Sequence, residues 1–511
     1  METQNSLLLG LVVLVFSSLA LTRPTLASFS RSDFPEEFYF GSATSSYQVE
    51  GAANKSGRGP SIWDTFAHDQ PDRIRDGRNG DVAVDFYNRY KEDLKMMKGT
   101  GLNAFRFSIS WSRIIPQGQI QWGVNEEGIQ FYNNLINECL KNGLEPFVTL
   151  FHWDTPQALE DRYGGFLSPN IVDDFGDYAE LCFKRFGDRV RYWITLNEPW
   201  AYATFGYDNG EFAPGRCSSW VSRACKGGNS AVEPYIVSHH LLLSHAAAVE
   251  VYRQKYKMEP YSNETSDIDA AKRALDFHYG WYMDPLTYGD YPRTMRNYLK
   301  DRLPKFTETQ SKQLRGSLDF LGLNYYSARF VTNVETEDPE RISFKADLHL
   351  DLLCKFIYSS KNMRTYIEGQ SIGPMAGLEW LRVAPFGIRY LLNYTKDTYR
   401  NPTIYITENG VAHDDSDLLG DIMHDTRRID YYDTHIGNVS MAIKEYNVSI
   451  KGYFAWSFMD NFEWSSGYTK RFGLTYIDYK NNLKRIPKSS LAWLKGKLLG
   501  ETTTMRPRPL R

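Results

Sequence analysis

A chain of 511 residues with a formal net charge of -3 carries no basic stripe able to neutralise a phosphate backbone, which argues against nucleic acid as a partner. Its length allows several ordinary domains, or one α/β barrel enlarged by its loops. Aromatic residues make up 15% of the chain, a rich share most of which a large core would absorb, though such side chains also stack well on apolar ligand faces.

The chain opens with an apolar run from Leu7 to Leu21, too short to span a bilayer comfortably. Thr25-Leu26-Ala27 follows as a small-x-small cleavage pattern, so residues 1–27 read as a secretory signal peptide and the mature chain begins near Ser28. No later segment is long and apolar enough for a membrane span, and no membrane association is expected after cleavage. Five Asn-x-Ser/Thr acceptors, at Asn54, Asn263, Asn393, Asn438 and Asn447, agree with a secretory route to the apoplast or a vacuole. Cys217 and Cys225 bracket the short loop Cys-Ser-Ser-Trp-Val-Ser-Arg-Ala-Cys, compatible with a local disulfide in an oxidising compartment, the alternative being two thiols. Cys139 and Cys182 lie in amphipathic helical patterns and should be buried; Cys354 has no assignment. No spacing suggests a metal site, and no cofactor is expected.

Short β-branched or aromatic runs alternate with longer helical patterns: Asn103 to Ile109, Gly128 to Asn142, Glu145 to Phe151, Asn170 to Phe186 and Arg191 to Leu196. Later strand candidates are Phe320 to Tyr325, Thr403 to Thr407 and Ile450 to Trp456. Such alternation predicts parallel βα units, and this many of them predict a closed barrel. Residues Val334 to Asp351 read as an elaborated loop. Nothing splits residues 28–500, which are expected to form one domain, and Glu501 to Arg511 read as a disordered tail without a retention tetrapeptide. Arg106, His152, Asn197 with Glu198, Asn324, Glu408 and Trp456 fall at or near strand ends, the rim where barrel enzymes build their sites.

Two of these segments, Thr195-Leu196-Asn197-Glu198-Pro199 and Ile404-Tyr405-Ile406-Thr407-Glu408-Asn409-Gly410, each place one glutamate just after a β-prone run. A pair of carboxyls at strand ends is the equipment for cleaving a glycosidic bond, one as proton donor and the other as nucleophile. The nucleophile must be ionised, and Arg106 and the Tyr326 hydroxyl are candidates for holding Glu408 so. The donor must keep its proton, which requires a less ionising setting for Glu198.

At these residues the chain resembles glycoside hydrolase family 1, and within it the plant β-glucosidases. The resemblance runs from Phe34-Pro-Glu-Glu-Phe-Tyr-Phe-Gly-Ser-Ala-Thr-Ser-Ser-Tyr-Gln-Val-Glu-Gly to Arg471-Phe-Gly-Leu-Thr-Tyr-Ile-Asp-Tyr, and both glutamate motifs in this order make it specific. It implies a (β/α)8 TIM barrel with elaborated loops, Glu198 as acid/base, Glu408 as nucleophile, and retention of anomeric configuration with carboxyls roughly 5 Å apart. It further implies a sugar site built from Gln48, His152, Asn197, Tyr326, Glu463 and Trp464, with Trp456 as the floor under the ring. Relatives that cleave thioglucosides carry glutamine at the acid, and this chain keeps Glu198, so an O-glycoside is expected. Relatives that take phospho-sugars use serine and lysine around the position of Trp464, so an unphosphorylated sugar is expected. Glucose is the default, with galactose or fucose one hydroxyl orientation away; the partner is a small-molecule β-glycoside, and oligomeric state is not legible.

One segment departs from that family. The helical pattern from Tyr235 to Lys257 should lead into a fifth barrel strand, yet Tyr256-Lys257-Met258 runs straight into Glu259-Pro260-Tyr261-Ser262-Asn263, and nothing in Met258 to Ser266 could form a strand of ordinary length. The fifth strand is therefore expected to be deleted, leaving two sheet edges unpaired. Besides hydrolysis, two readings stand: transfer of the sugar from an acyl-glucose donor to an alcohol acceptor, and a catalytically impaired relative.

Overall fold

The computed structural model describes residues 28–256, 275–328, 331–333, 341–348, 350–352, 366–367 and 370–500. The leader 1–27, the tail 501–511, Asn263, Cys354 and the segment 258–266 lie outside the described residues.

Seven parallel strands form the central sheet: β1 (Tyr39–Ala43), β2 (Ala104–Ser108), β3 (Glu145–Phe151), β4 (Tyr192–Leu196), β5 (Leu321–Asn324), β6 (Ile404–Asn409) and β7 (Ile450–Trp456). Their order is β4-β3-β2-β1-β7-β6-β5, the sequence of a barrel cut open between β4 and β5. The strand candidates are thus recovered within a residue or two at each end, and among the described residues the fifth barrel position holds no strand, as the deletion implies. Helices cover the outside: α1 (Phe86–Gly99), α2 (Glu126–Lys141), α3 (Asn170–Phe186), α4 (Pro199–Tyr207), α5 (Glu233–Tyr256), α6 (Trp281–Tyr288), α7 (Pro385–Thr398) and α8 (Thr426–Tyr446). α3 shows why these segments are helical: Ile171, Phe175, Tyr178, Cys182 and Phe186 recur at spacings of three and four and are buried on one stripe. Asp173 in its first turn and Lys184 and Arg185 in its last complement the helix dipole.

Alternate strand residues meet inside the barrel. Phe147 of β3 stacks on Tyr192 of β4 at 4.2 Å and meets Tyr405 of β6 and Phe454 of β7 edge-on. The open side is spanned by side chains. Near the strand starts, Tyr192 meets Phe320 edge-on at 6.2 Å. Behind the sheet, His245 of α5 bonds Thr195 of β4 through Nδ1 at 2.8 Å and Ser317, just before β5, through Nε2 at 3.0 Å. At the rim, the Asn324 amide donates to both Asn197 and Glu198.

Cys217 and Cys225 are joined as a disulfide with Cα atoms 5.6 Å apart, and Cys139 and Cys182 are buried thiols. Residues 334–351 depart from a plain loop: 344–347 form a helical turn, and 350–352 pair antiparallel with 331–333. Asn54 and Asn447 are exposed and Asn393 is half-exposed. Asn438 corrects the sequon reading, because it lies inside α8, is 7% exposed, and donates its amide to the Thr434 carbonyl. Among the described residues no helix is long and apolar enough to cross a membrane.

Candidate active site

The strand ends converge as the sequence pattern requires. Glu408 lies near the end of β6, where the register slips between Ile406 and Glu408 against β5. Such an irregularity re-aims a side chain without moving its strand, and here it turns Glu408 toward the barrel axis. Its two oxygens take different donors: the Arg106 guanidinium reaches Oε1 at 2.6 Å and the Tyr326 hydroxyl reaches Oε2 at 2.6 Å. Arg106 is 1% exposed and spends its other donors on Asn197 Oδ1, Thr149 Oγ1 and the Thr407 carbonyl. A buried cation held this way cannot swing off, so Glu408 is fixed by one charge-assisted bond and one phenol.

Glu198 sits where β4 turns into α4, with Pro199 as the first helical residue and its own backbone in the left-handed region at φ 37°. A glutamate there is strained, which is tolerated where the turn must throw a side chain into a cleft. Among the described residues only Asn324 Nδ2, at 2.8 Å from Oε1, bonds its carboxyl. Burial, then the negative charge of Glu408, push Glu198 up to about 7, while Asn324 and Arg106 pull the other way. The two carboxyls therefore stand in unlike settings: Glu408 takes a cation and a phenol as donors, whereas burial and its neighbour's charge favour the proton on Glu198.

Around them lies a cavity of about 1400 Å³, lined by Arg106, His152, Asn197, Glu198, Tyr326, Glu408, Trp456, Glu463 and Trp464, among others. His152 Nε2 accepts from Asn197 Nδ2 at 3.1 Å, and its Nδ1 is buried with no hydrogen-bond partner among the described residues. Burial and the Arg106 charge hold His152 well below its ordinary pKa, so it is neutral. Glu463 Oε1 is likewise buried without a partner, and burial followed by the Glu408 charge pushes Glu463 well above the carboxylate range. Orphaned buried polar atoms are costly unless something fills them, and several facing one cavity describe a site for a polyhydroxylated ligand. The His152 ring lies between Trp456 and Trp464, nearly parallel to both at 6.2 and 6.0 Å, so the walls are flat and aromatic.

A family model for glycosyl hydrolase family 1 matches residues 30–499. The chain belongs to that family. It is 54% identical over 481 residues to β-glucosidase 24 of Oryza sativa subsp. japonica, covering 91% of this chain and 93% of the relative. It is 51% identical to raucaffricine-O-β-D-glucosidase of Rauvolfia serpentina, covering 91% of each. The crystal structure of the rice β-glucosidase Os3BGlu6 superposes with a TM-score of 0.85 at 47% identity, covering 91% of this chain and 98% of that one.

Within this family 1 glycosidase one sequence-predicted residue stands apart. Gln48 is fully buried and is absent from the cavity lining. Its amide donates to Asn461 Oδ1 at 3.1 Å and the Phe462 carbonyl at 2.8 Å, and its oxygen accepts from Ser45. Gln48 thus ties down the loop that carries Glu463. Conversely, Asn324 was legible only as a polar residue on the rim; its bond to Glu198 makes it part of the acid's surroundings. The exposed Trp380, edge-on to Tyr326 at 6.2 Å, gave no motif to find it by.

Proposed function

We propose that this family 1 enzyme is a retaining β-glucosidase that hydrolyses terminal β-D-glucosyl residues of small O-glycosides. The observation that carries the reading is the asymmetry of the two glutamates: Glu408 is clamped by Arg106 and Tyr326, while Glu198 is pushed up to about 7 beside it. Glu408 attacks the anomeric carbon as Glu198 gives its proton to the departing oxygen, and the C–O bond to the aglycone breaks. Ester formation cancels the Glu408 charge, and with it one of the two causes that hold Glu198 up. Glu198, left as a carboxylate by the proton it gave, is poised to take a proton from water, which attacks the same carbon and releases glucose with its original configuration. Neutral His152, Asn197 and Glu463 supply donors and acceptors for ring hydroxyls, and Trp456 supplies the flat face.

Two alternatives are not favoured. Transfer to an alcohol uses the same ester, but the relatives compared are named as glucosidases. An impaired enzyme is disfavoured because the residues named above converge despite the open barrel wall. A secretory destination in apoplast or vacuole is part of the proposal, supported by the apolar leader and the exposed sequons at Asn54 and Asn447. So is a single domain over residues 28–500.

The test is hydrolysis of p-nitrophenyl β-D-glucoside by the purified chain, with the first-formed sugar anomer read by NMR. Turnover giving β-glucose first is expected. A first product of α configuration, or no turnover from a soluble, monodisperse sample, overturns the reading.

A further inference from the structure

A cluster of polar side chains lies buried behind the nucleophile, outside the cavity. Asn409, the residue after Glu408 and the last of β6, is fully buried and absent from the cavity lining. Its amide nitrogen donates to the Tyr325 carbonyl at 2.5 Å and to the Tyr431 hydroxyl at 3.0 Å, and its oxygen accepts from the Tyr453 hydroxyl. Tyr431, on α8 and 1% exposed, donates in turn to the Tyr326 carbonyl at 3.0 Å. Two successive carbonyls, those of Tyr325 and Tyr326, are thus held by one amide and one phenol.

These two residues lie beyond the end of β5 at Asn324, and the sheet reaches them through the bond from the Tyr325 N–H to the Glu408 carbonyl at 3.0 Å. Tyr325 spends its hydroxyl on the Ala384 carbonyl at 2.7 Å, whereas Tyr326 sends its own to Glu408 Oε2 at 2.6 Å. A phenol hydroxyl stands at the far end of a rigid ring, so a small turn of the backbone that carries it is enough to take it out of bonding range. Two acceptors and one donor converge on position 409, and a short amide answers all three; an ionised aspartate brings no donor, and a leucine of similar size brings nothing.

We propose that Asn409 is a positioning residue for the nucleophile: with Tyr431 it fixes the chain at Tyr325 and Tyr326 so that the Tyr326 phenol meets Glu408. Asn409→Leu leaves the Tyr325 carbonyl and the Tyr431 hydroxyl buried without their partner, and the chain shifts to satisfy them. The kinetic arm of the test rests on the glucosidase reading; the crystallographic arm does not.

In the kinetic arm, kcat on p-nitrophenyl β-D-glucoside is measured around a double-mutant cycle of Asn409→Leu and Tyr326→Phe. Asn409→Leu alone should lower kcat by about 30-fold, yet by less than about threefold when added to Tyr326→Phe, because the hydroxyl it positions is already gone. Loss of the same factor in both backgrounds marks a structural role only and overturns the proposal. Should Asn409→Leu fail to fold, Tyr431→Phe, which deletes a single oxygen, takes its place in the cycle, with losses of about fivefold and less than about twofold expected and equal losses again overturning it. In the crystallographic arm, the structure of whichever variant folds should show the Tyr326 hydroxyl beyond about 3.5 Å from Glu408 Oε2 while the Arg106 contact to Oε1 is kept. A hydroxyl still bonded to Glu408 there overturns the proposal. No turnover by the wild-type chain defeats the glucosidase reading and leaves the crystal structure to decide this one.

Discussion

The two candidate catalytic glutamates stand in unlike surroundings. Glu408 rides on β6, a strand paired on both sides, every residue of which is buried. Glu198 leaves the end of β4, a strand that among the described residues pairs only with β3 and is part-open along its whole length. The nucleophile's side is therefore held by continuous backbone ladder, and the acid's side by side chains: Asn324 and Asn197 at the rim, Thr195-His245-Ser317 behind, Tyr192 and Phe320 below. A barrel wall can lose a member where the chemistry needs only that two strand ends stay in place. What must be replaced is the position of the rim, and a few side-chain bonds do that.

The sharpest way to break this comparison is at the clamped side. Glu408→Gln keeps the shape and the partners but removes the attacking charge, so kcat should fall by at least about 10³-fold. Azide added to that variant should restore turnover of an activated glucoside, yielding the α-glucosyl azide because the small anion replaces the carboxylate on the same face. Recovery of a β-azide would reverse the roles assigned to the two glutamates.

Next in size is the rim bond across the gap. Asn324→Ala removes the donor to Glu198, and loss of a bond to a buried carboxyl should lower kcat/KM by about 10–100-fold. The pH profile separates this from simple misplacement. In the wild type the free enzyme needs protonated Glu198, so kcat/KM should decline tenfold per unit as pH rises past about 7. Asn324 holds that pKa down, so its removal should carry the alkaline limb to higher pH. A limb that stays put would show that Asn324 positions substrate and leaves the acid alone.

Behind the sheet the effect should be on stability. Burial lowers His245 from 6.5 to about 4, so the folded state holds it neutral while the unfolded chain charges it as pH falls through 6.5. Its contribution is therefore present above about 6.5 and lost between there and about 4, amounting to about 3 kcal/mol at the acid end. His245→Gln should cost about 1–3 kcal/mol at pH 7, because Thr195 and Ser317 lose a matched partner, and should flatten that acid slope. Denaturant midpoints at pH 7.5 and 4.5 measure both.

Much of this was legible in the sequence. Strand and helix positions followed from hydrophobic period, and the glutamate motifs marked the ends of β4 and β6 because a polar pair after a β-branched run has few other uses. The fifth barrel position, which holds no strand among the described residues, agrees with the reading that 258–266 lacks the residues to make one. What could not be read was how the edges are joined. The His245 bridge couples residues 50 and 72 positions apart through a helix face, with no local pattern to betray it. Gln48 shows a further limit: its amide holds a neighbouring loop, a contact set by packing that the motif does not encode. Asn438 fails for a related reason, an acceptor triplet being blind to the helix that buries it.

The smallest effect should come at the foot of the gap. The Tyr192 hydroxyl approaches that of Tyr39 only at 3.5 Å, the outer limit of a hydrogen bond, whereas its ring stacks on Phe147 and reaches Phe320. If rings bridge the edges, Tyr192→Phe should change unfolding free energy by less than about 1 kcal/mol, since it removes one long, partly hydrated bond and leaves every aromatic contact. A loss well beyond that would mean that hydroxyls, not rings, hold β4 against the rest of the barrel, and would move the support of the open edge from packing to polar bonding along its whole length.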